Sequence, residues 1–222
     1  HAQLVSTLLA TLTDSETPAQ LTENWHRIAT HFDLLLDRPE AVDALEQTIL
    51  QLAVRGLLVP QDPQDEPASE LLKKIRAEKD KLIAEGKIKR DKPLPLIAED
   101  ELPFALPTGW EWVRLGNLAE LITSGSRDWA ERYSDSGPIF VRMGNLSRGS
   151  YQLRTKHLQH VKPPRGGEGS RTSLEAGDLL LSITGEVGML GLIPEGFGEA
   201  YINQHTCLIR WSQSVRTEYL PI

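Results

Sequence analysis

The chain has 222 residues, 40% of them hydrophobic, and carries 24 Lys+Arg against 31 Asp+Glu for a net charge of -7; this suits one or two folded domains and excludes wholesale disorder. No run approaches the roughly 18 to 20 uncharged apolar residues that a bilayer-spanning helix needs, which excludes a membrane span. The single cysteine, Cys207, excludes an internal disulfide and a structural zinc cluster, so a reducing compartment, the cytoplasm, is expected.

The first 90 residues read as helices. Leu4, Val5, Leu8, Leu9 and Leu12 recur at intervals of three and four as one apolar stripe. Thr17 suits an N-cap with Pro18 at the first helical position, before a second stripe of Leu21, Trp25, Ile28, Phe32 and Leu36. A third helix carries Val42, Leu45, Ile49, Leu52 and Ala53, with Gly56 where a left-handed C-terminal cap belongs. After a loop with Pro60, Pro63 and Pro67, a charged helix leaves a thin seam of Leu72, Ile75 and Leu82. A seam this narrow belongs to a helix packed on one or two others, or to an exposed spacer.

Pro93, Pro95, Pro103 and Pro107 make the next stretch hostile to helix, and the hydrophobic pattern changes after it. Strand-like runs then alternate with Gly-rich turns over 112–115, 138–143, 179–184, 190–193 and 201–211. Trp110 and Trp112 alternate onto one strand face, which assigns them to packing rather than base stacking. The expected fold is α+β: a helical region over 1–92 for subunit contact or spacing, a Pro-rich linker over 93–107, and a mixed, strand-rich domain over 108–222 that can hold its own core. The opening His1 and the unpunctuated end at Ile222 suggest a tagged fragment of a longer protein.

Charge is unevenly spread. Residues 1–100 hold 12 Lys+Arg and 18 Asp+Glu, net -6, whereas the remainder is nearly neutral. Between Gly137 and Arg165 there are six cations (Arg142, Arg148, Arg154, Lys156, Lys162, Arg165) and no acid, with His157 and His160 alongside. Such a segment is either a solvated surface or the place where a polyanion is held, because phosphate affinity follows clustered cations more than global charge.

Catalytic motifs do not emerge. The one Pro-Pro pair, Pro163-Pro164, is flanked by Lys162 and Arg165 rather than set in an adenine-methyltransferase loop. Gly185, Gly188 and Gly191 fit neither the dinucleotide fingerprint nor a phosphate loop and read as turn glycines. His157 and His160 lack further metal ligands nearby, and Asp178 and Glu186 flank a strand with no lysine at nuclease spacing. What remains is three polar groups in turns. Ser124, Ser126 and Arg127 sit about Gly125, where backbone can approach a phosphate and Arg127 can pair with it or with guanine. Asn145, after Arg142 and Gly144, is either a turn former or an amide for adenine. Asn203-Gln204-His205-Thr206 interrupts an apolar run and needs partners.

These residues also carry a resemblance. Leu106-Pro107-Thr108-Gly109-Trp110-Glu111-Trp112-Val113-Arg114-Leu115-Gly116, then Gly137-Pro138-Ile139-Phe140-Val141-Arg142, then Gly177-Asp178-Leu179-Leu180-Leu181-Ser182-Ile183-Thr184-Gly185, then Asn203-Gln204-His205, resemble the target-recognition domain of type I restriction-modification specificity subunits. The stretch from Ala44 to Asp62, running on to Lys87-Ile88-Lys89, looks like the helical region of the same family. The resemblance implies a non-catalytic subunit that reads one half of a bipartite site in double-stranded DNA, with this chain as the N-terminal portion holding one such domain. It implies partners: modification subunits that use S-adenosylmethionine to methylate adenine, and restriction subunits that use ATP and Mg to translocate and cleave. No cofactor or metal is expected in this chain. The expected DNA-contacting residues are Ser124, Ser126, Arg127, Arg142, Asn145, Arg148, Arg154, Lys156, Thr184, Gln204 and His205; Leu72, Ile75 and Leu82 are expected to contact a subunit. The alternative is a helical adaptor or scaffold that does not bind DNA, and salt-dependent duplex binding separates the two. A stand-alone nuclease or methyltransferase is disfavoured by the missing motifs.

Overall fold

A computed structural model describes residues 1–163, 172–217 and 219–221. Pro164 and Arg165 of the basic segment, and the terminal Glu218 and Ile222, lie outside the described residues. The fold is α+β, in two compact units: His1–Ser69 with Ile97–Trp112, and Glu70–Leu96 with Val113–Ile222.

The first unit is helical. It contains α1 (Ala2–Thr13), α2 (Pro18–Thr30), the short α3 (Phe32–Leu35) and α4 (Pro39–Val54). Thr17 caps α2 as expected, its hydroxyl accepting from Gln20 N at 3.2 Å with Pro18 at the first position. Gly56 ends α4 at φ +67°, with Gly56 N donating to Ala53 O at 3.0 Å and Leu57 N to Leu52 O at 2.9 Å. That pair of bonds satisfies two terminal carbonyls and requires a residue tolerant of the left-handed conformation. A Cβ there would also lie 2.6 Å from Pro107.

The core of this unit is Val5, Leu9, Leu12, Ile28, Leu35, Ala41, Leu45 and Leu52. It corrects the expected stripes. α4 turns inward the face of Ala41, Leu45, Thr48 and Leu52, leaving Val42 and Ile49 exposed; the buried face was hidden because two of its members are small or polar. α2 stops at Thr30, so Phe32 belongs to a separate turn, and Trp25 and Phe32 are exposed while Ile28 is buried. Trp110 and Trp112 keep their packing role without a strand. Trp110 donates from Nε1 to Gln61 Oε1 at 2.8 Å, and Trp112 packs against Phe104 in a tilted pair with ring centroids 4.9 Å apart.

The second unit begins with α5 (Ala68–Ala84) and continues with α6 (Leu115–Leu118), β1 (Ala119–Ser124), β2 (Tyr133–Val141), β3 (Gln159–Val161), β4 (Leu179–Ser182), β5 (Leu190–Leu192), β6 (Ala200–Ile202) and β7 (Thr206–Trp211). One sheet has the order β1-β7-β4-β5, antiparallel throughout; the other is β3-β2-β6, in which β2 and β6 run parallel. Because side chains alternate across a strand, β4 and β7 send Leu180 and Leu208 into a core with Val141, Leu146, Ala200 and Ile202. Their neighbours Leu179 and Ile209 face the other way, against α5. In the second sheet Phe140 pairs with Tyr201 and packs with Trp129 and Val161 on its outer side.

Two expectations are corrected here. The seam of α5 is spent inside the unit: Ile75 is 2% exposed among Leu118, Ala119, Leu179 and Trp211, with Leu72 packed beside it and Leu82 half-buried. Ile75 is therefore unavailable as a free subunit contact, while Leu72 and Leu82 keep part of their surface exposed. The boundaries shift accordingly, since α5 joins the strand-rich unit. The Pro-rich stretch is not a free linker either: Arg114 donates to Pro95 O at 3.3 Å and Leu96 O at 3.2 Å, and Leu94 covers Gly116.

Beneath the sheet lies a buried ion pair. Arg210 donates from Nε to Asp178 Oδ1 at 2.8 Å and from Nη2 to Oδ2 at 2.7 Å, with Asp178 0% exposed. Burial pushes the Asp178 carboxyl above its ordinary range, against the pull of Arg210. Asp178 also accepts from Glu175 N at 2.7 Å. Its place is structural: it ties the entry of β4 to β7.

Candidate nucleic-acid interface

Three polar turns meet at one end of the antiparallel sheet. The first leaves β1. Gly125 N donates to Thr206 O at 3.2 Å, Ser126 bridges Asn203, and a Cβ on Gly125 would lie 2.3 Å from the carbonyl oxygens of Ile202 and Asn203. Only glycine fits that approach, so Gly125 locks this turn to the β6–β7 turn. Ser126 Oγ accepts from Trp129 Nε1 at 3.0 Å, which anchors the loop on the aromatic cluster. Arg127 is exposed and makes no hydrogen bond or ion pair among the described residues.

The second turn divides the apolar run that the sequence suggested was one strand. Asn203 Oδ1 accepts from His205 N at 3.0 Å and Asn203 O from Thr206 N at 3.2 Å, an Asx-type turn that sends β6 and β7 into different sheets. The third leaves β4, where Ile183 N donates to His205 O at 3.0 Å. Thr184 Oγ1 lies 2.6 Å from His205 Nδ1, and Gln204 Nε2 lies 3.0 Å from His205 Nε2. Two donors cannot face each other, so with this orientation of the Gln204 amide His205 accepts at Nε2 and donates from Nδ1 to Thr184 Oγ1. The Thr184 hydroxyl proton, Gln204 Oε1 and the second Gln204 N–H then have no partner among the described residues. A donor and acceptor set of this kind matches the edge of a base.

The basic segment joins this group through Met143, whose Cε would sit 3.2 Å from a Cβ on Gly185. Arg142 is half-buried and donates from Nη2 to His157 O at 3.3 Å, while His157 itself stands at φ +60°. Arg148, Arg154, Lys156 and Lys162 are exposed and form no ion pairs among the described residues.

Asn145 is corrected. It is 4% exposed; its Oδ1 accepts from Arg142 N at 3.0 Å, its Nδ2 donates to Arg154 O at 2.9 Å, and its carbonyl accepts from Arg154 N at 2.8 Å. Every polar atom of its amide is committed to backbone, so it clamps the segment instead of reaching a base. Gly191 is corrected as well: it lies within β5, and a Cβ there would meet Leu153 at 2.4 Å and Leu146 at 2.7 Å. Sequence reasoning did not single out Ser182 as a holding residue. Its buried hydroxyl donates to Glu186 O and accepts from Met189 N at 2.8 Å, closing the turn that carries Thr184. Its apolar neighbourhood in β4 gave no sign of that role. Among the described residues no group of three or more His, Cys, Asp and Glu is placed to hold a metal ion.

The chain is thus an α+β protein with polar turns gathered at one sheet end beside a cation-rich segment, an arrangement compatible with holding a polyanion. Comparison with known proteins is specific. No family model matches the chain. Over 192 residues, 86% of the chain, it is 46% identical to the type I restriction enzyme EcoAI specificity subunit of Escherichia coli. Over 196 residues, again 86% of the chain, it is 46% identical to the EcoEI specificity subunit of the same organism. The chain spans 32% of the length of each. A chain from a solved structure of a type I R-M system, 21% identical, superposes with a TM-score of 0.38 over 77% of this chain and 38% of that one. The resemblance carried by the motifs is thus shown: over the matched residues the chain is a relative of type I restriction enzyme specificity subunits.

Proposed function

We propose that the strand-rich unit reads one half of a bipartite site in double-stranded DNA, as a non-catalytic part of a type I specificity subunit. The observation that carries this reading is the convergence of Thr184 and Gln204 about His205, beside the turn of Arg127, at one sheet end, with polar atoms of Arg127, Thr184 and Gln204 that no described residue pairs. Exposed Arg148, Arg154 and Lys156 neutralise phosphates and set the register, and Arg142 contacts either a phosphate or a guanine. Ser124 and Ser126 bring backbone close to the duplex, although Ser126 also holds Trp129.

In this proposal the chemistry belongs to partners. Modification subunits supply S-adenosylmethionine and methylate adenine, and restriction subunits supply ATP, Mg, translocation and cleavage, in the cytoplasm. The helical unit offers such partners the exposed apolar side chains Trp25, Phe32, Leu34, Val42 and Ile49, and α5 of the other unit adds the half-exposed Leu72 and Leu82.

Titration of a labelled random-sequence duplex at several salt concentrations tests the reading. Affinity should fall with salt with a log–log slope of about -0.9 for each phosphate contacted. Absence of duplex binding by folded protein would favour the helical adaptor.

A further inference from the structure

The turn that carries Thr184 holds two exposed apolar side chains, Ile183 at 40% and Val187 at 60% exposure. Isolated exposed apolar residues are ordinary, but this turn is held rigid from three sides. Ser182, itself fully buried, grips the Glu186 carbonyl and the Met189 N–H; Gly188 N donates to Ser182 O at 3.1 Å; and Met143 lies under Gly185. Gly185 and Gly188 stand at φ +68° and +88°, conformations that fix the bend. On this turn Val187 holds its methyl groups at the surface, 60% exposed. Its turn has one charged side chain, Glu186, which is exposed and negative, so the tip is unsuited to phosphate. It stands next to the Thr184–His205–Gln204 group, where hydrogen bonding to base edges is proposed.

We infer that Val187, flanked by Ile183, contacts the 5-methyl group of a thymine in the major groove and so selects a T·A pair by apolar contact, a role that rests on the DNA-reading proposal above. The thymine methyl is the one apolar feature among the base edges of that groove.

The test is selection by the full chain from two randomised duplex pools, one made with thymidine and one with deoxyuridine, which differs only by the missing methyl. Wild type should enrich a motif with a T in the first pool, and lose preference at that position by roughly three- to fivefold in the second, the effect of one buried methyl group. Val187→Ala should lose the same preference in the thymidine pool, show no difference between pools, and keep the wild-type melting temperature. An identical motif in both pools overturns the inference while leaving DNA reading intact. A methyl effect that persists in Val187→Ala removes the role from Val187. Unchanged motifs combined with loss of modification-subunit binding by Val187→Ala would assign the tip to a protein contact. No motif in either pool sinks the underlying reading and this inference together.

Discussion

Thr184 Oγ1 stands 2.6 Å from His205 Nδ1, across two turns that leave different strands. The bond fixes the imidazole and, with the Gln204 amide donating to Nε2, leaves the threonine proton without a partner among the described residues. Thr184→Val keeps the shape and removes that donor. Preference for a selected duplex over a scrambled one should fall by roughly five- to tenfold, the worth of one hydrogen bond, with little change in melting temperature because Thr184 is exposed. Equal loss on both duplexes would make the hydroxyl a backbone contact.

Asn145 gives the opposite signature. Asn145→Ala strands the Arg142 N–H and the Arg154 carbonyl, which it now satisfies, and should cost about 2 to 3 kcal/mol of stability. Urea unfolding of the strand-rich unit measures it. An unchanged midpoint with lost base preference would restore the residue to direct reading.

Arg210→Met leaves the fully buried Asp178 without its bidentate partner. The expected cost is about 3 to 5 kcal/mol, with most of it recovered in the double variant that also carries Asp178→Leu. If the single variant melts like wild type, the pair does not tie β4 to β7.

Lys156 and Arg142 separate positioning from reading. Lys156→Ala should weaken every duplex alike and reduce the salt slope by about 1. If Arg142 reads a base, Arg142→Ala should cost roughly 1 to 3 kcal/mol on the selected site and relax one position. A uniform loss would place Arg142 with the phosphates.

The legibility of this fold varied with how burial is shared. β4 was visible because both of its faces are covered, so Leu179-Leu180-Leu181 reads as one apolar run. β1, an edge strand with mixed burial, and the three-residue β3 gave no such run and were missed. α4 existed where expected, yet its inward face was misread because Ala41 and Thr48 carry no strong hydrophobic signal. For the site, Gln204, His205 and Arg127 stood out as polar residues in turns. Asn145 looked the same in sequence, and only its three backbone partners distinguish a clamp from a reader. Thr184 came from the resemblance, and its contact with His205 spans 21 positions, a separation that no local pattern reports.

The most direct measurement is selection from a randomised duplex pool by this chain together with a modification subunit, washed at two salt concentrations and sequenced. The expected result is a motif of a few base pairs that survives the higher salt. Enrichment without a motif that vanishes at higher salt, or no enrichment by folded and assembled protein, would contradict it.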